Sequence, residues 1–213
     1  MPSVPFRKQP RQSRSRALVA SILEAAGDLL GKGSEDHVDI PIQKIADRAG
    51  VGVGSIYDYF ASTEGVWHGF IGWINERNFA ILEAKTRDSG SNFTERLPSM
   101  VDAALSMYLD APGRTRGVVF AVVRMKWIER VVLERDRFAH LLAHKLLAEH
   151  PQVPHERFER LGEVLCDAIL GIVLGELWRE RSEAARAEVH QVLKELVARE
   201  VAAVIAAYPP QRP

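Results

Sequence analysis

One stretch near the N-terminus, residues 40–67, constrains the fold more than any other part of the chain. It reads IPIQKIADRAGVGVGSIYDYFASTEGVW. Apolar residues recur at spacings of three and four over residues 41–49, which predicts a short helix with one buried face. Gly50 follows it, where a left-handed residue commonly ends a helix. A second short helix is predicted over residues 53–60, and together the two form a helix-turn-helix.

The second short helix has two different sides. Ile56 and Phe60 are four residues apart, so they share a face and are predicted to be buried. Gly54, Ser55 and Asp58 lie on the outer side, with Tyr57 and Tyr59 on its flanks, and the small residues there permit close approach to a duplex. Hydroxyl groups can bond to phosphates or base edges. From spacing alone, an ordinary helical hairpin inside a bundle explains the pattern equally well.

The residues of this stretch closely resemble the DNA-binding signature of the TetR/AcrR family of bacterial repressors. The matching features are IA..AGV, G-S-I-Y, Y-F and S-x-E, with ILEAAGDLL upstream, and they cover about residues 15–70. The resemblance implies an all-α, homodimeric, ligand-responsive transcription regulator. It further implies an N-terminal three-helix DNA-binding domain over residues 1–62. A C-terminal helical bundle over residues 63–213 would bind the ligand and dimerise.

The same resemblance identifies residues expected to contact double-stranded operator DNA. Ser55 and Tyr57 match the family's DNA-contacting positions, and Tyr59 matches a position that touches phosphate. Residues 43 and 44 fall where the preceding helix can meet the DNA backbone. The expected contact set is Gln43, Lys44, Val53, Gly54, Ser55, Tyr57, Tyr59 and Thr63.

Charge is distributed unevenly, although the formal net charge is zero. Residues 1–16 carry five basic and no acidic side chains, whereas residues 17–66 carry three basic and eight acidic ones. The basic segment is either a solubilising terminus or an arm that tracks phosphates or enters the minor groove. Thr63 stands where the family often has Lys, which removes an expected phosphate contact. A basic arm could compensate for it.

Helical periodicity continues through the rest of the chain. Further helices are predicted over residues 12–30, 63–87, 94–111 and 114–130, then up to about residue 150, and over residues 155–181 and 183–208. The buried side of the fourth helix is predicted to consist of Val66, Trp67, Phe70, Ile71, Ile74 and Ile81. Ser62 is predicted to cap this helix at its N-terminus.

The last two helices carry continuous apolar stripes. They can pair as a hairpin, and two such hairpins from two chains can form a four-helix interface. The pattern fits closure of the monomer core equally well, but the family resemblance favours a homodimer. The residues expected at the interface are Leu165, Ile169, Gly171, Ile172, Gly175, Val197, Val201 and Val204.

The resemblance also implies an effector pocket in the middle of the chain. Phe120, Val123 and Trp127 have the spacing of one helical face and are expected to line one wall, facing Met107 and Cys166. No charged residues converge there in the sequence. The expected effector is therefore a small apolar or aromatic molecule.

Other chemistry finds little support in the sequence. His140 and His144 have a spacing that can hold a metal, but no third ligand is obvious, so a surface or pocket-lining role is expected. There is no catalytic constellation, so neither an enzyme nor a cofactor is expected. The single cysteine, Cys166, cannot form an internal disulfide, which fits a reducing cytoplasm. The family resemblance implies that this is a bacterial cytoplasm and that the protein associates with the nucleoid. No apolar run is long enough to span a membrane.

Two rival interpretations remain open at this point. The chain could be an all-helical ligand-binding or catalytic protein in which the helix-turn-helix is only structural. It could instead bind DNA as an activator or architectural protein without an effector.

Overall fold

The computed structural model describes residues 6–31, 40–87 and 92–210, and the predicted all-α class is confirmed. Within these residues, the helices are α1 (Ser13–Gly31), α2 (Ile42–Ala49), α3 (Val53–Tyr57), α4 (Thr63–Thr86), α5 (Phe93–Leu109), α6 (Pro112–Arg124), α7 (Ile128–Glu149), α8 (His155–Trp178) and α9 (Glu183–Ala206). None of these helices is sufficiently long and apolar to cross a membrane. The polar stretch SEDHVD, residues 34–39, predicts a loop by its composition and lies outside the described residues.

Contacts divide the chain into two compact units. The first, which we call the head unit, comprises Met1–Arg77 and Ala111–Trp127. The second, the body unit, comprises Asn78–Asp110 and Ile128–Pro213. The head unit therefore contains α1 to α3, the first part of α4, and α6. The functional division expected after residue 62 stays a prediction.

Two glycines allow other helices of the head unit to approach α1 closely. A Cβ atom added to Gly27 in α1 would lie 2.5 Å from the Phe70 ring of α4. A Cβ atom added to Gly117 in α6 would lie 2.9 Å from the carbonyl oxygen of Leu30. Such distances are shorter than van der Waals contact, so a larger residue would force the helices apart.

The body unit is held together by close helix packing and by a capping contact. In α8, a Cβ atom added to Gly162 would lie 2.7 Å from the Ala139 carbonyl oxygen of α7. The Glu149 carboxylate accepts hydrogen bonds from the backbone N–H groups of Phe93 and Thr94. Because these N–H groups have no partner within their own helix, Glu149 caps the N-terminus of α5.

A buried ion cluster joins the end of α8 to the start of α9. The Glu176 side chain is only 1% exposed, and its carboxylate pairs with Arg181 and Arg186. The Arg186 Nε atom lies 3.2 Å from Oε2 of Glu176. The Arg181 guanidinium donates to the other oxygen, Oε1. The two cations compensate a carboxylate that would otherwise be costly to bury.

Two predicted details of the helices are wrong. The helix predicted over residues 114–130 ends at Arg124, and Lys126 adopts a left-handed φ of 56°. Trp127 follows that break, so it does not share a helical face with Val123, which is 65% exposed. Ile81 of α4, predicted to be buried, is 39% exposed. Helical periodicity indicates which side of a helix is apolar. It does not show where the helix ends or which of its apolar residues are covered by other helices.

Candidate nucleic-acid interface

The turn between α2 and α3 is set by two glycines. Gly50 has φ 69° and ψ 33°, and its N–H group bonds to the carbonyl groups of Ala46 and Asp47. The next N–H group, that of Val51, bonds to the Ala46 carbonyl at 3.0 Å. Gly52 is extended and precedes the first residue of α3. The predicted left-handed C-cap at Gly50 is confirmed, and it makes the sharp turn that a helix-turn-helix requires.

Apolar residues on the inner sides of both helices fix α3 in its rotation. Ile45 and Ala46 of α2 are completely buried, as are Ile56 of α3 and Phe60 just beyond it. The predicted inner face is therefore confirmed. Because this side packs in the core, the opposite side of α3 lies at the surface.

The outer side of α3 is small and partly hydroxyl-bearing. Tyr57 is 41% exposed, and Val53 and Ser55 are half-buried. Gly54 is exposed, and a Cβ atom placed there would meet nothing within 4 Å. Its small size is therefore not needed by the packing of the chain itself, and it leaves room for an external surface.

The remaining residues of the expected contact set differ in exposure. Gln43 and Lys44 of α2 are exposed, and Gln43 Nε2 donates to Oδ1 of Asp47 at 2.7 Å. Thr63 is half-buried in the first turn of α4. Tyr59 is 7% exposed, so only a small part of it is available to a phosphate. Their roles in DNA binding stay predictions.

The N-terminus of α4 is capped as predicted. The Ser62 hydroxyl accepts a hydrogen bond from the Gly65 N–H group at 3.1 Å. Glu64 lies in the first turn, where a carboxylate is favoured by the helix dipole. This cap fixes the point at which the chain leaves the helix-turn-helix.

An ion-pair hub on α1 was not predicted from the sequence. The Asp28 carboxylate accepts from Arg48 of α2 at 2.6 Å and from Arg114 of α6 at 3.0 Å. It thereby ties both helices to α1 within the head unit. The pairs are separated by 20 and 86 positions, and no local pattern of residues signals such long-range partners.

The five residues predicted to line an effector pocket are divided between the two units. Phe120 and Val123 lie in α6, and the Trp127 ring lies 4.8 Å from the ring of His68 in the head unit. Met107 and Cys166 belong to the body unit and are half-buried. The predicted pocket role is not tested by these positions.

Two protonated groups lie close together in the body unit. Burial raises the pKa of the Cys166 thiol to about 12, despite the nearby Arg135 cation. Burial also raises the pKa of Tyr108 to about 12, and Cys166 and Glu134 add to that effect. Because the thiolate is the reactive form of cysteine, the raised pKa disfavours reaction of Cys166 at neutral pH.

The outer side of α8 and α9 forms an apolar groove of about 500 Å³. It is lined by Ala168, Gly171, Ile172, Glu188, Val189, Val192, Leu193 and Leu196. Gly171 and Ile172 belong to the predicted dimer interface. In contrast, Leu165, Val197 and Val201 are already buried within the chain.

The geometry described so far defines an all-helical protein with a helix-turn-helix whose outer face is free. Comparison with known families specifies it further: residues 22–68 match the model described as bacterial regulatory proteins, tetR family. This match contains α2 and α3, together with the second half of α1 and the first turns of α4. The resemblance to the TetR family that the sequence indicated is thereby confirmed over these residues.

Solved structures share the fold over almost the whole chain. A TetR-family transcriptional regulator from Mesorhizobium loti is 16% identical with a TM-score of 0.68, covering 93% of this chain and 100% of its own. One from Streptomyces coelicolor is 19% identical with a TM-score of 0.62, covering 88% and 99%. NalD from Pseudomonas aeruginosa is 18% identical with a TM-score of 0.59, covering 89% and 98%. Comparison with curated proteins gives no match.

Proposed function

We propose that the protein is a homodimeric repressor that binds a pseudo-palindromic operator and is released by a small apolar or aromatic effector. The proposal of DNA binding is supported by the exposed outer face of α3. Ile56 on the inner side of α3 and Phe60 just beyond the helix are completely buried, while Gly54 and Tyr57 remain at the surface. A helix in this arrangement can enter the major groove with its N-terminal residues at the base edges.

The repressor role is supported by one of the related structures. NalD is described as the secondary repressor of the MexAB-OprM multidrug efflux pump. By analogy, the present protein would block transcription when bound to its operator. The cytoplasm, and the nucleoid within it, is the proposed location because that is where the operator lies.

The proposed dimer uses the apolar groove on α8 and α9. Apolar side chains are exposed both in the groove, where Val192 is 59% exposed, and at Val164 of α8, which is 64% exposed. Gly171 is exposed, and a Cβ atom there would meet nothing within 4 Å, which leaves space for a helix from a partner. A two-fold dimer would read two half-sites with centres about 34–36 Å apart.

The proposed effector acts by selecting a dimer shape that does not fit the operator. It weakens DNA binding only as far as it prefers that shape, and operator must weaken effector binding by the same factor. The predicted pocket residues are retained as a proposal, with Trp127 as the reporter. A candidate effector should change Trp127 fluorescence and reduce operator affinity about 5- to 150-fold.

Selection from random duplexes tests the proposal directly. The protein should enrich a sequence with two-fold symmetry, and the duplex should be released as salt rises. Retention on random duplex at low salt separates this function from a ligand-binding or catalytic protein with a structural helix-turn-helix. Failure to retain any duplex would contradict DNA binding. Transcription that rises on binding would indicate an activator.

A further inference from the structure

The segment that precedes α1 contacts the residues that directly follow α3. The Arg7 N–H group donates to the Tyr59 carbonyl at 2.9 Å, and Phe6 forms an isolated antiparallel bridge with Phe60. The Phe6 and Phe60 rings lie 5.3 Å apart. Since Phe60 is completely buried, Phe6 rests on the core of the helix-turn-helix. A solubilising tail needs no such docking.

The docking places a cation beside the candidate reading face. The exposed guanidinium of Arg7 donates through Nη1 to the Tyr57 carbonyl at 3.4 Å. Tyr57 is the most exposed large residue of α3. A guanidinium has five N–H donors in a planar fork that matches phosphate, and the bond to Tyr57 uses one of them. Arg7 is therefore held beside the C-terminal end of α3 with its guanidinium at the surface.

More basic residues follow Arg7 as far as the first turn of α1. Lys8, Arg11 and Arg14 are exposed, and residues 1–16 contain no acidic side chain. The segment docked beside Tyr59 and Phe60 therefore carries positive charge that no acidic residue within it offsets.

We propose that residues 6–14, which we call the docked arm, bind the DNA phosphates that flank the groove entered by α3. In this proposal Arg7 makes a direct phosphate contact, and Phe6 is a positioning residue that holds the arm against Phe60. The inference rests on the proposed DNA-binding function. It assigns part of the interface to a segment outside the helix-turn-helix.

The first test replaces one charge. Each phosphate contact contributes about 0.9 to the slope of log affinity against log salt. Arg7→Gln should therefore make the slope for a selected operator shallower by about that amount. At about 0.1 M salt this corresponds to roughly eightfold weaker binding. Arg199→Gln is the matched control, because Arg199 is an exposed arginine of α9, and it should bind like wild type.

The second test keeps every charge and removes the anchor. Phe6→Ala should weaken operator binding at least threefold at the same salt, whereas Phe6→Leu should recover most of the loss. Thermal melting by circular dichroism checks that α2 and α3 stay folded in these variants. A merely structural role of Phe6 would lower the melting temperature without changing the salt slope of the folded protein.

The outcomes distinguish failure of the docked-arm proposal from failure of the proposed DNA-binding function. If wild type binds no duplex, the proposed function fails. If wild type binds and Arg7→Gln matches it in affinity and salt slope, only the docked arm is wrong. Arm-dependent affinity that changes between A·T and G·C pairs beside the half-site would indicate minor-groove reading and would also overturn the phosphate proposal.

Discussion

The head unit and the body unit stabilise their helices with charges in different environments. In the head unit, Asp28 pairs with Arg48 and Arg114 at the surface, where the carboxylate side chain is 32% exposed. In the body unit, Glu176 is almost fully buried between two arginines. An exposed pair is worth little because water and salt screen it, whereas a buried charge depends on its partners. Ion pairs of the same residue types are therefore expected to contribute differently to the stability of the two units.

The largest expected effect comes from leaving Glu176 without partners. Changing both Arg181 and Arg186 to Met would strand a buried carboxylate and should lower the free energy of unfolding by about 3–5 kcal/mol. Arg48→Met in the head unit should change it by less than about 1 kcal/mol. Urea unfolding of both variants measures the comparison. Equal losses would show that burial does not distinguish the two clusters.

The apolar core of the head unit gives the next effect. Ile56→Ala would leave a cavity beneath α3 and should lower the free energy of unfolding by about 2–5 kcal/mol. Ser55→Ala, on the adjacent half-buried position, is the control and should have a much smaller effect. Thermal or urea unfolding measures both. A stable Ile56→Ala protein would contradict the burial that fixes the rotation of α3.

The two units also differ in what their surfaces are proposed to bind. Gly171→Leu would fill space that is empty within the chain, so the protomer should stay folded while dimerisation weakens at least tenfold, which is about 1.4 kcal/mol. Gly171→Ala tests whether the effect follows side-chain size. Sedimentation equilibrium gives the dissociation constants. A wild-type protein that is monomeric at micromolar concentration would refute the proposed dimer.

The smallest effect concerns the cap on α5. Burial raises the pKa of Glu149, but hydrogen bonds from Phe93 and Thr94 outweigh it, so the net pKa lies below 4.5. Its stabilising contribution is therefore complete above about pH 4.5 and is lost as pH falls through the lower folded value. Glu149→Gln should cost about 0.5–2 kcal/mol at pH 7. The difference from wild type should shrink below pH 4.5 in pH-dependent urea unfolding.

Local signals explain why most of the candidate interface was predictable. Gly50, Ile56 and Ser62 act on neighbours within a few residues, so their roles could be read from spacing. The contacts of Phe6 and Asp28 join residues far apart in the chain, and no sequence periodicity marks them. The prediction that Trp127 shares a helical face with Val123 is wrong because the apolar spacing continues past Arg124, where α6 ends.

Operator binding by Tyr57 variants tests the central claim most directly. Fluorescence anisotropy with a selected duplex should show that Tyr57→Ala binds about 5- to 150-fold more weakly than wild type, equivalent to about 1–3 kcal/mol. Its melting temperature should stay close to wild type, since Tyr57 is 41% exposed. Tyr57→Phe separates the hydroxyl from the ring. A folded Tyr57→Ala protein that binds operator at full strength would contradict the assignment of the outer face of α3 as the reading surface.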